Sequence, residues 1–251
     1  ESLVLVKHYL SPKKTTDINF VTLKYAEKWA ACECPPVFGC KSKSSSQAIR
    51  KRKGDRLNTS LILVALGANL PRDLGATRRS PADTVLQALQ DITALGLTLV
   101  AKSALYASPC FPAGAGPDYI NSVAAFTEDD EHTPDQILNL LHRVEAAHGR
   151  QRSTRWAGRV LDLDLLAMGD QVLPDAQTFH FWRDLAPDQQ AQRTPDQLIL
   201  PHSRLADRAF VLVPLAEIAP DWRHPVLGLT ATALRDALPA TDLAAICPLD
   251  T

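Results

Sequence analysis

From Leu61 onward, short apolar runs and helix-start signals alternate along the chain in a definite order. Residues 61–66 are uniformly apolar and end at Gly67, as expected of a buried strand. Ser80-Pro81 and Thr133-Pro134-Asp135-Gln136 each combine a capping side chain with an early proline, which predicts a helix start at each. The residues at core spacing in these two helices are Val85, Leu86, Leu89 and Ile92, and Ile137, Leu140, Leu141 and Val144.

Three further segments have the composition of strands: residues 97–107, 119–128 and 160–168. The resulting order β-α-β-β-α-β predicts an α+β fold, the ferredoxin-like βαββαβ sandwich, in which an antiparallel sheet carries two helices on one face. Residues 209–218 and 230–238 predict additional C-terminal helices, which we expect to pack around the edge of the sandwich.

The first 59 residues differ from the rest in charge and in pattern. They hold 12 Lys and Arg against 5 Asp and Glu, whereas residues 60–251 hold 15 against 23. We expect residues 1–59 to be a basic, cysteine-containing N-terminal extension outside the catalytic fold, and residues 60–251 to form the functional domain. The acidic balance of the larger segment argues against a general nucleic-acid surface, which needs clustered positive charge.

Two features of the extension leave alternatives open. Cys32, Cys34 and Cys40 could bind zinc with His8, but their spacing matches no common zinc motif, and a partly disordered extension is the favoured interpretation. The basic run at residues 50–53 is typical of a solvated linker, with a localisation signal or a nucleic-acid contact as the alternatives.

Several absences in the sequence bear on the compartment. The five cysteines are odd in number and unevenly spread, which does not indicate a disulfide framework. No apolar run reaches the roughly 18 residues of a membrane span, and the apolar residues 3–6 are too short for a secretory signal. We therefore expect a cytoplasmic protein without a membrane association.

The most informative segment is Arg159-Val160-Leu161-Asp162-Leu163-Asp164-Leu165-Leu166. On a strand, alternate side chains share a face, so the leucines at 161, 163 and 165 point one way and Asp162 and Asp164 the other. Two carboxylates about 7 Å apart repel each other unless a cation lies between them. Oxygen ligands of this kind suit Mg²⁺ completed by phosphate oxygens and water. A half-buried strand with a merely hydrated polar face is the alternative.

Four arginines within ten positions precede this strand: Arg150, Arg152, Arg155 and Arg159. They alternate with glycine, serine, threonine and tryptophan, which predicts a loop rather than an amphipathic helix. Guanidinium groups match phosphate oxygens in paired hydrogen bonds, so the loop and the aspartates together suit a magnesium nucleotide. A solvated basic loop or a structural ion-pair network is the alternative.

A long loop rich in proline and glycine, residues 108–118, separates the second and third predicted strands, and loops of this length tend to be functional. Tyr119 and Asn121 follow it and share a strand face. An aromatic ring beside an amide suits a flat heterocycle with a hydrogen-bonding edge. Tyr and Asn are nevertheless also ordinary surface residues of strands.

Residues from about 61 to 240 resemble the 6-hydroxymethyl-7,8-dihydropterin pyrophosphokinase family. The resemblance covers most of the larger segment, and the block at residues 155–166 is its most specific part. The similar stretches are ALGANL (65–70), SALYASPCF (103–111), PDYINSV (117–123), RVEAAHGRQR (143–152), RWAGRVLDLDLL (155–166), LPHSRLADRAFVLVPLAEIAPDW (200–222) and HPVLG (224–228).

The resemblance implies transfer of pyrophosphate from ATP to the pterin hydroxymethyl group, with release of AMP, in folate biosynthesis. It implies two Mg²⁺ ions held by Asp162 and Asp164, ATP as co-substrate, no nucleic-acid partner and a monomer. The implied catalytic residues are Arg150, Arg159, Asp162 and Asp164. The implied ATP contacts are Arg152, Arg155, Trp156, Arg159, His202 and Arg208. The implied pterin contacts are Ser108, Pro109, Phe111, Tyr119, Asn121, Glu145, Trp156 and Phe210.

The chain departs from the family pattern at a few positions. Ala157-Gly158 stands where Gly-Pro is common, and Ser153 stands where a basic residue is frequent, so closure of the arginine loop is expected to be less favoured. Ser108 replaces a usual threonine, and residues 174–197 form a longer connection than in many members. None of these changes removes an implied metal ligand or a main phosphate contact.

Other functional classes are less consistent with the sequence. A ferredoxin-like RNA-binding module would present exposed aromatics and a basic sheet face, whereas the fourth strand carries two aspartates. No GxxxxGK[ST] loop of the common P-loop kinases is present. A different magnesium-dependent phosphotransferase and a catalytically dead paralogue remain alternatives. A cysteine or serine hydrolase has little support, since neither Cys110 nor Cys247 lies in a recognisable nucleophile setting.

Overall fold

The computed structural model describes residues 61–75, 77–110, 114, 116–128, 132–149, 159–186, 189 and 192–249. Its strands are β1 (Ile62–Ala68), β2 (Arg72–Asp73), β3 (Arg78–Arg79), β4 (Thr98–Lys102), β5 (Tyr106–Ser108), β6 (Tyr119–Thr127), β7 (Asp162–Met168) and β8 (Cys247–Pro248). Its helices are α1 (Pro81–Ala94), α2 (Pro134–Ala147), α3 (Ala176–Arg183), α4 (Ala209–Ile218), α5 (Ala231–Asp236) and α6 (Ala240–Ala244), with a 3-10 turn at Leu205–Asp207.

The main sheet has the strand order of a ferredoxin-like fold. β1 lies between β7 and β6, both β4 and β5 pair with β6, and β8 extends the sheet beyond β5. Every one of these pairs is antiparallel. With β4 and β5 counted as one interrupted strand, the order is fourth, first, third, second, which confirms the predicted α+β ferredoxin-like class. The small hairpin β2–β3 forms a separate two-stranded sheet.

The prediction of one continuous strand over residues 97–107 is wrong, because the strand is broken between Lys102 and Tyr106. At the break, the Ser103 hydroxyl accepts the hydrogen bond of the Val123 N–H at 3.1 Å. A side chain thus takes the place of a backbone carbonyl in the ladder, and the chain leaves the regular strand before resuming as β5. The Ser103 hydroxyl also lies 3.0 Å from the hydroxyl of Ser122.

Both predicted helix starts are confirmed by their caps. Ser80 Oγ accepts from the Asp83 N–H, and Thr133 and Gln136 form a reciprocal capping box. The prediction that Leu86 belongs to the core face of α1 is wrong, since this side chain is 37% exposed. One residue along a helix rotates the side chain by about 100°, which carries Leu86 out of the buried stripe. The buried residues of α1 are Thr84, Val85, Ala88, Leu89 and Ile92.

Two hydrophobic clusters lie on opposite faces of the sheet. The first packs α1 and α2 against the side of β1 that carries Val64 and Leu66. The second packs α4 and α5 against the other side, where Leu63 and Val123 lie. The expectation that the C-terminal helices surround the edge is therefore corrected, because α4 covers part of the second face. Its sequence is apolar almost throughout, as suits a helix buried on several sides.

A β-bulge in β7 connects the sheet to the segment that precedes α4. Val64 pairs with Leu165 and Leu63 pairs with Ala167, so Leu166 is the extra residue. The carbonyl of Leu166 accepts a hydrogen bond from the His202 N–H at 2.8 Å. The bulge thus holds the chain around His202 against β7. In the part of the chain described here, no helix is both long enough and apolar enough to cross a bilayer.

Candidate active site

A pocket lies on the second face of the sheet, beside the first turn of α4 and at the end of the sheet that α4 leaves uncovered. Strands β1, β5, β6 and β7 form its floor and walls, and the start of α4 closes one side. The lining residues are Ala65, Leu66, Gly67, Ser108, Pro109, Tyr119, Asn121, Ser122, Arg159, Asp162, Asp164, Arg208 and Phe210.

The two aspartates project into this pocket from β7, on the strand face opposite the buried Leu163 and Leu165. The predicted separation of acids and leucines onto two faces is confirmed. In the ladder with β1, Asp164 lies opposite Ala65 and Asp162 lies opposite Gly67. These small neighbours leave open space on the strand next to the acids.

An arginine contacts each aspartate. Arg159 forms an ion pair with Asp162, and Arg208 Nη1 lies 3.5 Å from Asp164 Oδ2. Burial and the charge of Asp164 raise the pKa of Asp162 to about 6, although Arg159 acts in the opposite direction. The acid end of the pocket is therefore a place where negative charge is crowded and where an additional cation would be favoured.

Magnesium fits this donor set. Mg²⁺ is commonly bound by one or two carboxylates together with water and substrate phosphates, rather than by a cage of protein ligands. Within the described ranges, no three His, Cys, Asp or Glu side chains converge on one point. The carboxylates that line the pocket are those of Asp162 and Asp164, so phosphate oxygens and water would supply the remaining ligands.

The other end of the pocket is aromatic and amidic. Tyr119 and Asn121 come from β6, Ser108 and Pro109 from the end of β5, and Phe210 from α4. Asn121 Nδ2 donates to Ser108 Oγ at 2.8 Å, which fixes the orientation of the buried amide. This surface can take a flat ring and offers hydrogen-bonding groups at its edge.

Gly67 lies on the floor of the pocket, between its acid end and its aromatic end, and the lack of a side chain leaves space there. A methyl group added at Gly67 would lie 3.4 Å from Asn121 Oδ1 and 3.9 Å from Tyr119 Cδ1. Because Gly67 also lies opposite Asp162 and Asn121 in the two neighbouring ladders, it stands between the acids and the amide. The space above it joins the two halves of the pocket.

Two of the predicted site residues do not line the pocket. Glu145 is buried on α2, and its Oε1 accepts from the N–H of Leu163, the residue between the aspartates, at 2.9 Å. Its contact is thus to the β7 backbone, and its charge contributes to the raised pKa of Asp162. His202 accepts at Nδ1 from the Arg204 N–H at 3.1 Å. Burial lowers the pKa of His202, while the charge of Asp164 opposes this shift.

Five predicted site residues fall outside the described residues: Phe111, Arg150, Arg152, Arg155 and Trp156. Of the remaining predictions, nine residues are brought together around one pocket. These are Ser108, Pro109, Tyr119, Asn121, Arg159, Asp162, Asp164, Arg208 and Phe210.

Asn69 is a residue of this region that the sequence interpretation missed. It is 2% exposed, its Nδ2 donates to the Pro117 carbonyl at 3.0 Å, and its Oδ1 accepts from the Arg159 N–H at 2.7 Å. One side chain thus links the segment before Tyr119 to the segment before Asp162. The available signal was an asparagine directly after a buried strand, a position where its side chain often bonds to backbone.

Comparison with known proteins identifies both a matching family model and individual relatives. The family model described as 7,8-dihydro-6-hydroxymethylpterin-pyrophosphokinase matches residues 63–220. A 2-amino-4-hydroxy-6-hydroxymethyldihydropteridine pyrophosphokinase from Pseudomonas aeruginosa is 34% identical over 190 residues, covering 75% of this chain and 93% of that protein. A protein of the same name from Methylorubrum extorquens is 34% identical over 170 residues, covering 67% of this chain and 90% of that one.

Among solved structures, a Plasmodium falciparum HPPK-DHPS triple mutant matches with a TM-score of 0.49 and 13% identity. The match covers 77% of this chain and 45% of that one. This chain therefore spans less than half of the length of that protein.

Proposed function

The chain belongs to the 7,8-dihydro-6-hydroxymethylpterin-pyrophosphokinase family, and we propose that the pocket between Asp162 and Phe210 is where it performs the family's reaction. The chain is an ATP-dependent diphosphotransferase. It transfers pyrophosphate from ATP to 6-hydroxymethyl-7,8-dihydropterin in folate biosynthesis. The site assignment rests on one observation: a single pocket has acids and arginines at one end and aromatic and amide side chains at the other.

The acid end is the proposed magnesium and phosphate site. Asp162 and Asp164 would hold the metal, with two ions proposed for the loaded enzyme. Bound Mg²⁺ neutralises phosphate charge and lowers the pKa of the attacking hydroxyl. The raised pKa of Asp162 supports this assignment, because burial and a neighbouring like charge both disfavour the carboxylate until a cation is bound.

The arginines are the proposed phosphate ligands. Arg159 and Arg208 line the pocket and pair with the aspartates, so both guanidinium groups lie at the acid end, where the phosphates would bind. His202, held on the bulge of β7, and Arg208 are the proposed ATP contacts on one side. Arg150, Arg152, Arg155 and Trp156 are proposed to contribute from the arginine loop, as the family resemblance implies.

The aromatic end is the proposed pterin site. Tyr119 and Phe210 would stack on the two faces of the ring, since one comes from the sheet and the other from the helix that closes the pocket. The Asn121 amide and the Ser108 hydroxyl would pair with the polar edge of the ring, with Pro109 and Phe111 beside it. Glu145 is proposed to act from beneath by holding the β7 backbone between the aspartates.

In this arrangement the pterin hydroxyl oxygen attacks the β-phosphorus of ATP in line, the bond to the α,β-bridging oxygen breaks, and AMP leaves. The residues of the chain hold the two substrates at reacting distance and neutralise the charge that moves to the leaving phosphate. No strong protein base is required, which agrees with a pocket whose two carboxylates are assigned to the metal. The cytoplasm, where ATP is available, is the proposed compartment, and a monomer is the proposed oligomeric state.

The test is AMP formation from ATP, measured with and without 6-hydroxymethyl-7,8-dihydropterin and Mg²⁺. AMP that appears only when all components are present is the expected result. ADP as the product would indicate a different phosphotransferase on the same fold. A folded protein that forms neither product would indicate a dead paralogue or a binding protein.

A further inference from the structure

Glu217 lies in the last turn of α4, away from the pocket, and its carboxylate joins this helix to the sheet. Glu217 Oε2 accepts from the Tyr106 hydroxyl at 2.9 Å and from the Ala104 N–H at 3.0 Å. Both donors belong to the segment that runs from the break after β4 into β5. One carboxylate oxygen therefore holds α4 to the second strand of the sheet through two charge-assisted hydrogen bonds.

The same helix carries the aromatic wall of the pocket at its other end. Phe210 lines the pocket from the first turn of α4, seven residues before Glu217. Two positions seven apart share almost the same face of a helix and lie about 10 Å apart along its axis. Phe210 and Glu217 thus face the sheet together, one in the pocket and one at the anchor.

The pocket end of α4 lacks two of the usual helix restraints, although the N–H groups of Val211 and Leu212 donate to the Arg208 carbonyl at 3.0 and 2.9 Å. Pro214 has no N–H, so the carbonyl of Phe210 lacks the donor that a helix normally supplies four residues later. Arg208, the N-cap residue, makes no side-chain capping bond within the described part of the chain. The Arg208 guanidinium lies 5.6 Å from the centre of the Phe210 ring, and the position of this ring depends in addition on how the rest of α4 is fixed to the sheet.

The strand that Glu217 holds also carries pterin-site residues. Tyr106 pairs with Asn121 in the ladder of β5 and β6, and Ser108 pairs with Tyr119. Ser108 in turn accepts the hydrogen bond from the Asn121 amide. The anchor therefore connects the helix that supplies one wall of the pterin site to the strand that supplies its opposite edge.

The ATP side has a separate attachment. The His202 N–H donates to the bulge carbonyl of Leu166 at 2.8 Å, and Leu173 and Leu200 exchange two backbone hydrogen bonds. These contacts hold the segment before α4 to β7 and to the residues that follow β7. Arg208, which begins α4, has its own contact with β7, because its Nη1 lies 3.5 Å from Asp164 Oδ2. None of these contacts involves Glu217. Loosening the Glu217 anchor is therefore expected to affect the pterin site more than the ATP site.

We propose that Glu217 is a positioning residue for pterin recognition: through Tyr106 and the Ala104 N–H, it sets the distance of Phe210 from Tyr119 and Asn121. The inference rests on the proposed function, because it assumes that the aromatic end of the pocket takes the pterin. Glu217 itself does not line the pocket.

The experiment compares Glu217→Ala, Tyr106→Phe and Glu217→Gln with the wild-type chain in steady-state AMP formation, varying each substrate in turn. Glu217→Ala is expected to raise the KM for the pterin by about fivefold to tenfold, the effect of losing one or two hydrogen bonds, with the KM for ATP changed less than twofold. Tyr106→Phe keeps the ring and is expected to show a smaller rise. Glu217→Gln retains an acceptor oxygen and is expected to restore most of the affinity.

The exposed acid Asp221, just beyond α4, provides the matched control as Asp221→Ala, and circular dichroism and thermal melting verify that each variant is folded. An unchanged pterin KM in folded Glu217→Ala and Tyr106→Phe would overturn the proposal, as would an equal rise in both KM values. Impairment of Glu217→Gln equal to that of Glu217→Ala would also overturn it. Failure of the proposed function is distinguishable, since the wild-type chain would then form no AMP.

Discussion

Asn69 and Arg159 are joined by hydrogen bonds in both directions, 90 positions apart in sequence. The Arg159 N–H donates to Asn69 Oδ1, and the Asn69 N–H donates to the Arg159 carbonyl at 3.0 Å. The end of β1 is thereby tied to the residue that enters β7 and contacts Asp162. The position of the acid end of the pocket depends on this connection, although Asn69 is not among the residues that line it.

We expect Asn69→Ala to lower both stability and activity. The change removes two side-chain hydrogen bonds of a buried amide and leaves the Arg159 N–H and the Pro117 carbonyl without that partner, a loss of about 2 kcal/mol in unfolding free energy. Because Arg159 and Asp162 lose their support, kcat is expected to fall by about tenfold or more. Urea unfolding and AMP formation measure the two effects. The exposed Asn139→Ala is the control, and full activity in folded Asn69→Ala would contradict the assigned role.

Asp162→Asn and Asp164→Asn are each expected to lower magnesium-dependent turnover by at least about a hundredfold, while the fold is retained. The pKa of Asp162 is raised in the folded protein, so its charge is unfavourable there once the pH exceeds its usual pKa. The stabilising effect of this group is therefore present at low pH and is lost as the pH rises toward about 6. At pH 8 and without ligands, Asp162→Asn should melt at the same temperature as the wild-type chain or higher. Turnover like that of the wild type in both variants would remove the metal assignment.

Gly67→Ala is expected to weaken pterin binding while leaving the stability of the fold nearly unchanged. The added methyl meets its neighbours at ordinary contact distances of 3.4 and 3.9 Å, so the melting temperature should change by no more than a few degrees. The same methyl occupies the floor between Asn121 and Asp162, and it should raise the KM for the pterin by about tenfold. Titration with the pterin and with an ATP analogue would measure this selectivity, and an unchanged pterin affinity would place the ring elsewhere.

Stability is expected to depend on pH through His224. This ring is fully buried against Phe179 and Trp222, and its Nδ1 accepts from the N–H groups of Val226 and Leu227 at 3.2 Å each. Burial, and then the charge of Arg183, lower the pKa of His224 to about 4. Below pH 6.5 the unfolded chain binds the proton more readily than the folded one, so stability falls from there to about pH 4.

Between pH 7 and pH 5 this group alone should cost about 2 kcal/mol of unfolding free energy. His224→Asn keeps an acceptor for the two N–H groups and cannot titrate in this range. Urea unfolding of both proteins at several pH values should therefore show a steeper acid loss for the wild-type chain. Parallel curves would show that His224 is not responsible.

The features of the fold that could be predicted from the sequence are those determined by residues close to one another in the chain. The caps at Ser80 and Thr133 and the alternation around Asp162 could be recognised because they depend on neighbours in sequence. The break at Ser103 could not, because it arises when a hydroxyl takes a backbone N–H from Val123, a residue of another strand. The exposure of Leu86 was not evident from spacing either, since Leu86 lies three residues before the buried Leu89 and is nevertheless 37% exposed.

The candidate site shows the same division. The acids, the arginines and the aromatic–amide pair carry chemistry that their residue types reveal, and the structure brings the described ones together. Asn69, Gly67 and Glu217 contribute in another way. Asn69 links two segments by hydrogen bonds, Gly67 leaves space on the floor of the pocket, and Glu217 attaches α4 to the sheet. Such roles depend on distances between segments that lie 48 to 113 positions apart, and no local pattern encodes them.

The bulge at Leu166 has a consequence for engineering the chain. Leu166 and Ala167 both pack with the α4 side, and Met168 returns to the α1 and α2 side, so the alternation of faces is reset within β7. The half of the strand before the bulge, with Asp162 and Asp164, keeps its own ladder with β1 and its own tie to Glu145. The bulge thus divides the strand into two halves that have separate contacts. We therefore expect a change of length in the half that follows Leu166 to leave the two acids facing the pocket, because their ladder with β1 and their tie to Glu145 lie before the bulge.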